Sequence, residues 1–209
     1  MTENDLDVHA AYALETTEDR KQLYAAWANT YDSEFAAASD YIYPQHVADV
    51  FHKRNGQGPV LDAGAGTGLL AQALQAHRAH VIDAFDLSPE MLAVAREKGL
   101  YRALFVGDLT KELPFKDATY SAVVSSGTFT HGHVGPDAFD ALMRVAAPGA
   151  LFALSIKTEL YRTQGFEAKF NALSDQIKGF ELTEVRVYGA DADAGYAPDT
   201  GLIASFYKV

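Results

Sequence analysis

Cysteine is absent from the 209 residues, and with it go disulfides, thiolate zinc sites, iron–sulfur clusters and any covalent cysteine nucleophile. The compartment stays open on this count, because cysteine-free chains occur in oxidising and reducing spaces alike. Positive charge is scarce as well. Seventeen lysines and arginines stand against 28 aspartates and glutamates, a net charge of −11. A phosphate backbone is itself a dense line of negative charge, so DNA and bulk RNA are poor partners for such a surface. Long apolar runs are missing too: no stretch approaches the roughly 18 residues a membrane span needs, and no early segment joins basic residues to an apolar run. These absences lead us to expect a soluble, cytoplasmic protein with neither nucleic-acid nor membrane partners.

The length suits one domain with a sizeable core, because a domain of this size buries roughly 70% of the surface its unfolded chain exposes. We expect a single unit over 1–209, with residues 1–55 forming a helical cap and 56–209 the core. Residues 1 to about 17 are polar, acidic and aperiodic, and are expected to fray. From Glu18 to Ala38 the pattern turns helical, with Leu23, Tyr24, Trp27, Tyr31 and Phe35 recurring on one face. A second helix is predicted over Pro44–Lys53, and Asn55-Gly56-Gln57-Gly58-Pro59 breaks it.

Strand and helix then alternate: strand Pro59–Asp62, helix Leu69–His77, strand His80–Asp86, helix Pro89–Lys98, strand Arg102–Val106. This is the pattern of a parallel sheet. Strand Tyr120–Ser125, helix Asp137–Ala146 and strand Leu151–Ile156 follow, then a long amphipathic helix over Glu159–Ile177. Two final strands, Leu182–Val187 and Leu202–Tyr207, read as an antiparallel pair. In such sheets ligands bind beyond the C-terminal strand ends, at the switch point.

The most informative stretch is Val60-Leu61-Asp62-Ala63-Gly64-Ala65-Gly66-Thr67-Gly68, a buried strand, an acid, a glycine turn and a helix start. Glycine reaches φ > 0 and lets a ligand touch backbone, while the opening helix offers unpaired N–H groups. A dinucleotide fingerprint requires a third glycine where Leu69 stands, and Asp62 would repel a pyrophosphate. A nicotinamide oxidoreductase is disfavoured on both grounds. Asp62 suits a ligand that carries an ammonium group instead.

Asp86 closes the second strand twenty-two residues after Gly64, near the roughly 20-residue offset at which an acid reaches a ribose diol. The alternative is that it only caps the helix led by Ser88-Pro89. Asp108 follows Gly107 at the end of the third strand, where Leu87, Met91 and Leu109 offer apolar walls or simply belong to the core. Together with Leu113-Pro114-Phe115-x-Asp117, these motifs resemble the class I S-adenosylmethionine-dependent methyltransferases. The resemblance covers about half the chain. It implies a Rossmann-like α/β fold: a seven-stranded, mostly parallel sheet with helices on both faces and an antiparallel last pair. It also implies S-adenosylmethionine as cofactor, cradled by Asp62, Gly64, Ala65 and Gly66, with Asp86 on the ribose and Asp108 on the adenine amino group.

Tyr24-x-x-Trp27-x-x-x-Tyr31-Asp32, Tyr41-x-Tyr43-Pro44 and Thr130-His131-Gly132-His133-Val134 resemble the small methyltransferase-like family related to the Williams–Beuren-region methyltransferase. That resemblance implies an N-terminal helix over the cofactor, with Tyr24, Trp27 and Tyr31 toward the methionine end. Electron-rich ring faces attract a sulfonium by cation–π contact, although the same stripe could merely glue the helix to the sheet.

Ser125-Ser126-Gly127-Thr128-Phe129 falls nearest the transferable methyl, and Ser126 is taken as a cofactor contact. The Asn-Pro-Pro-Tyr arrangement that grips an exocyclic or amide nitrogen is missing there. No carboxylate cluster suits magnesium at this rim, so no metal is expected. Without a cysteine, cytosine ring methylation by thiolate attack is excluded. His131 is the candidate general base, His133 a weaker one, and in-line attack on a sulfonium can also proceed without a base. We expect a methyltransferase acting on a small organic, mostly apolar acceptor, with Tyr41, Tyr43 and Phe129 lining its pocket and Phe166 or Phe170 as its far wall. A cofactor-binding sensor or assembly protein without methyl transfer is the other reading.

Overall fold

The computed structural model describes residues 17–130, 134–192 and 199–209, with side chains from Lys21 onward. The expected fraying of residues 1–16 lies outside this range, as do His131 and His133. Among the described residues no helix is long and apolar enough to cross a membrane.

Seven strands form one sheet: β1 (Val60–Ala63), β2 (Ile82–Asp86), β3 (Ala103–Val106), β4 (Tyr120–Phe129), β5 (Ala146–Lys157), β6 (Ile177–Arg186) and β7 (Thr200–Lys208). Their spatial order is β3-β2-β1-β4-β5-β7-β6. The first five run parallel, and β7 is antiparallel to both β5 and β6. This is the Rossmann-like class I methyltransferase architecture, with its order reversing between β1 and β4.

Period-two alternation along the strands sorts the core into two faces. Val60, Ala122, Val124, Leu151, Ala153 and Ile203 point to one side and meet α2 (Tyr43–Lys53) and α3 (Leu69–His77). Leu61, Val123, Phe152, Leu154 and Phe206 point to the other, and meet α5 (Ala138–Val145), α6 (Thr158–Thr163) and α7 (Phe166–Ala172). The parallel strands β1 and β2 are buried along almost their whole length, as strands covered on both faces must be. The remaining helix, α4 (Pro89–Glu97), opens as its sequence suggests: Ser88 Oγ accepts the Met91 N–H at 3.2 Å, and Pro89 fills the first turn.

Two helices differ from expectation. The span Glu18–Ala38 is not one helix: α1 (Thr17–Trp27) ends in a turn, and Tyr31–Ala36 forms a π-helical turn in which Ala37 N–H reaches the Asp32 carbonyl. Asp32 explains the break. Its carboxylate accepts the Thr67 hydroxyl at 2.6 Å and pairs with Lys98, contacts that draw this turn toward α3 and α4. The span Glu159–Ile177 is likewise split into α6 and α7 at Gly165, whose φ of +83° is a left-handed conformation that ends a helix. The second of these helices ends at Ala172, and β6 begins at Ile177 rather than Leu182.

Candidate active site

The C-terminal ends of β1, β2, β3 and β4 converge on a cavity of about 1040 Å³, counting its part open to solvent. Twelve of the fourteen expected cofactor residues line it: Tyr24 and Tyr31 from the N-terminal segment, Gly64, Ala65 and Gly66 after β1, Asp86 ending β2 with Leu87 and Met91 after it, Gly107, Asp108 and Leu109 after β3, and Ser126 from β4.

The glycine turn is shaped by close approach. Gly64 has φ +76°, and a Cβ there would run into the Thr128 side chain, whose hydroxyl donates to the Ala63 carbonyl at 3.2 Å. Ser125 Oγ donates to that same carbonyl at 2.6 Å. Gly66 differs: its φ is +52°, and a Cβ would meet nothing within 4 Å, so that side faces open cavity. Gly107 keeps the β3 end clear of the Phe85 ring.

Asp86 Oδ2 accepts the Gly66 N–H at 2.7 Å, and Oδ1 accepts the Ser88 N–H at 2.9 Å. Ribose acceptance and local capping are therefore compatible, since a carboxylate offers about four lone-pair sites. Burial pushes its pKa above the usual value, while the amides of Ser88, Gly66 and Leu87 pull it back. Asp108 takes both the N–H and the hydroxyl of Thr110 on one oxygen, at 2.8 and 2.7 Å.

Asp62 is not a wall residue. It is fully buried, its Oδ2 accepts the Tyr101 hydroxyl at 2.7 Å, and its Oδ1 has no hydrogen-bond partner among the described residues. Burial pushes its pKa up to about 7, with Tyr101 opposing and Asp86 adding to the rise. Trp27 also stays off the main cavity. It stands edge-on to Tyr24 with ring centroids 6.0 Å apart, packs with Met91, and faces an adjoining smaller cavity.

The aromatics assigned to an acceptor pocket divide. Tyr41 lines the cavity with its hydroxyl over Gly127 and beside Ser126; burial pushes its pKa up to about 12, so it stays neutral at working pH. Tyr43 donates its hydroxyl to the Ile156 carbonyl at 2.9 Å and lines only the smaller cavity. Phe129, Phe166 and Phe170 are corrected outright: they are buried in the core, Phe129 stacking on Phe139 at 5.2 Å. The Leu113–Asp117 turn is structural, because Arg144 binds the carbonyls of Leu113 and Phe115 and the Asp117 carboxylate.

Thr67, Leu69, Leu70, Thr110, Thr128 and Val134 line the cavity without having been singled out. Their signal was position alone: Thr67, Thr110, Thr128 and Val134 adjoin residues that were, and Leu69 and Leu70 open the helix after the glycine turn. Among the described residues no three His, Asp or Glu side chains gather as metal ligands.

Comparison with known proteins follows the same lines. Residues 60–149 match the family described as "Methyltransferase domain". The human "Methyltransferase-like protein 27" is 32% identical over 166 residues, which is 77% of this chain and 67% of that protein. A "Ubiquinone biosynthesis O-methyltransferase" of Xylella fastidiosa is 37% identical over 109 residues, 48% of this chain and 43% of its own length. The chain thus spans two thirds of the human relative and under half of the bacterial one. Among solved structures, a putative S-adenosylmethionine-dependent methyltransferase from Methanococcus maripaludis covers 100% of this chain and 97% of its own, with TM-score 0.60 and 18% identity, a likeness of fold.

Proposed function

The chain belongs to the S-adenosylmethionine-dependent methyltransferases, and on that premise we propose that it methylates a small organic acceptor from the cavity at the ends of β1 to β4. One observation carries the site assignment: two carboxylates, Asp86 and Asp108, and an open glycine turn share one cavity with the N-terminal tyrosines. Such a wall fits the cofactor's chemistry. The side of Gly66 that a Cβ would fill leaves room against backbone, and Asp86 supplies a bidentate acceptor for a diol.

In this reading Gly64, Ala65 and Gly66 hold the methionine end, with the Asp62 carboxylate acting through the turn rather than by contact. Asp108 accepts from the adenine amino group, and Leu87, Met91 and Leu109 pack against the ring. Tyr24 and Tyr31 cover the sulfonium. The bound cofactor supplies a methyl group on a positively charged sulfur, an electrophile that needs orientation more than activation. His131 remains a proposed base.

A small acceptor is supported by the second, adjoining cavity, which has Tyr24, Tyr31, Tyr41 and Gly127 in common with the first, and by the net charge of −11, which opposes a nucleic-acid substrate. Isothermal titration with S-adenosylmethionine and S-adenosylhomocysteine tests the assignment. Micromolar or tighter binding by the folded protein, weakened tenfold or more on Asp86→Ala, is expected. Unchanged affinity in that variant would overturn the placement.

A further inference from the structure

Beside the main cavity lies a second recess of about 490 Å³, most of it open to solvent, which shares Tyr24, Tyr31, Tyr41 and Gly127 with it. Aromatic rings make most of its wall. Tyr31 and Phe35 stand 5.0 Å apart by centroid, Phe35 and Tyr41 5.5 Å, Tyr41 and Tyr188 5.8 Å, a continuous run of tilted faces. Among the described residues one cationic side chain is in this wall: Lys157, the last residue of β5, only 11% exposed, with Nζ 3.2 Å from Asp199 Oδ2.

We propose that this chamber takes the methyl acceptor, and that the acceptor is a flat aromatic molecule whose phenolic oxygen is held as phenolate by Lys157. This rests on the assignment of the neighbouring cavity to S-adenosylmethionine. The walls select the shape, because offset and edge-on contacts between rings add to the area they bury. Among the described residues Val187 is the one branched aliphatic side chain in the wall, so an alkyl acceptor would find little to pack on.

The charge selects the functional group. Rings alone would equally suit an ammonium by cation–π attraction, but Lys157 places a like charge in the same small volume, and at low dielectric that repulsion is large. An anion gains where a cation loses. A lysine ammonium is a compact point charge, matched to a single oxygen rather than to a planar carboxylate, which an arginine fork would hold better. Asp199 keeps Lys157 from standing as an isolated buried cation, and at 34% side-chain exposure it sits on the solvent side of the pair.

A nearby cation lowers an acid's pKa by roughly one to three units. A phenol whose free pKa lies within that range of working pH therefore gives its proton to water on binding, whereas a more basic phenol passes it to the proposed base His131. The phenolate oxygen then forms its bond to the methyl carbon as the carbon–sulfur bond breaks, the electron pair stays on sulfur, and a neutral thioether and a methyl ether result. Gly127 lines both cavities and lets Tyr41 approach closely: its φ is +74°, and a Cβ there would stand 2.7 Å from the Tyr41 hydroxyl.

The test uses 4-nitrophenol, whose phenolate absorbs visibly, added to the protein saturated with S-adenosylhomocysteine and titrated over pH. The bound probe is expected to ionise about one unit or more below the free probe, which is at least a tenfold preference for phenolate. Lys157→Met should abolish that shift, Lys157→Arg should retain part of it, and Asp199→Asn should deepen it. A bound probe that ionises as in water overturns the proposal, as does a shift that survives in Lys157→Met. So does failure of the probe to bind while S-adenosylhomocysteine binds, a result that leaves the cofactor site standing. Failure of S-adenosylhomocysteine itself, with native circular dichroism, overturns the cofactor assignment and this proposal with it.

Discussion

The Tyr101 hydroxyl donates to Asp62 Oδ2 at 2.7 Å, joining the chain just ahead of β3 to the last turn-facing acid of β1 across 39 residues of sequence. It is the bond that moderates a carboxyl which burial pushes up to about 7. A carboxyl whose folded-state pKa is raised contributes stability that is full below its unfolded value, here 3.8, and is lost as pH rises through about 7. Asp62→Asn should remove this dependence. In urea titrations the variant's stability relative to the parent should improve between pH 5 and pH 8; an unchanged difference would place the charge elsewhere. Tyr101→Phe should act in the opposite sense, costing about 1–3 kcal/mol and extending the loss above pH 7.

Gly64 and Gly66 should separate folding from binding. Gly64→Ala forces a Cβ into Thr128 at a positive φ, so destabilisation well beyond the roughly 1–2 kcal/mol of left-handed strain alone is expected. Gly66→Ala meets no neighbour within 4 Å, and should cost only that strain. Its Cβ instead enters the space assigned to the cofactor. Thermal unfolding and calorimetry on the two variants read the contrast: Gly66→Ala should stay folded with cofactor affinity reduced tenfold or more.

Asp86→Ala should weaken cofactor binding by about 1.5–3 kcal/mol, the range for hydrogen bonds to a charged group. It also strips the Gly66 and Ser88 amides of their acceptor, so some loss of stability is expected beside it. Ser88→Ala is the control. It removes a helix cap, worth about 1 kcal/mol of stability, and should leave affinity within about twofold.

A different pH response comes from the opposite end of the sheet. The His52 ring lies 4.3 Å from His77 and 5.3 Å from His80, and burial first, then His77 and Arg78, lower its pKa against the opposing Leu74 carbonyl and Asp49. His80 shifts the same way. A histidine depressed in the folded state contributes stability present above its unfolded value of 6.5 and lost as pH falls through the folded one. His52→Gln should flatten the decline between pH 7 and pH 5 seen by chemical denaturation. An equally steep decline would assign it to other groups.

The order of strands and helices was legible because alternation and glycine punctuation are local properties. Most of the twelve wall residues share a cavity for the same reason: they sit at or just after strand ends, and strand ends of a parallel sheet converge, while Tyr24 and Tyr31 reach it from the N-terminal segment and Met91 from α4. What escaped depends on distant partners. Asp62 ends a strand like its counterparts, but Tyr101 and burial hold its side chain away from the cavity. The aromatic stripe ran on past Trp27, yet Asp32 is drawn to Thr67 and Lys98 and the helix ends there. Phe129 shares the parity of Val123 along β4, and that face belongs to the core. Lys157 carried a visible signal, a charge closing the apolar strand Leu151–Ile156 at the end where ligands bind.

The position of β7 between β5 and β6 has a consequence for synthesis. Residues 177–186 leave the ribosome before residues 200–208, yet β6 joins the sheet only through β7. Until then β5 presents a bare edge of Leu151, Phe152, Ala153 and Leu154, an apolar template open to any passing strand. Slowed translation of the segment after β6, or a nonsense codon within it, would thus leave most of the cofactor cavity encoded but the chain prone to self-association.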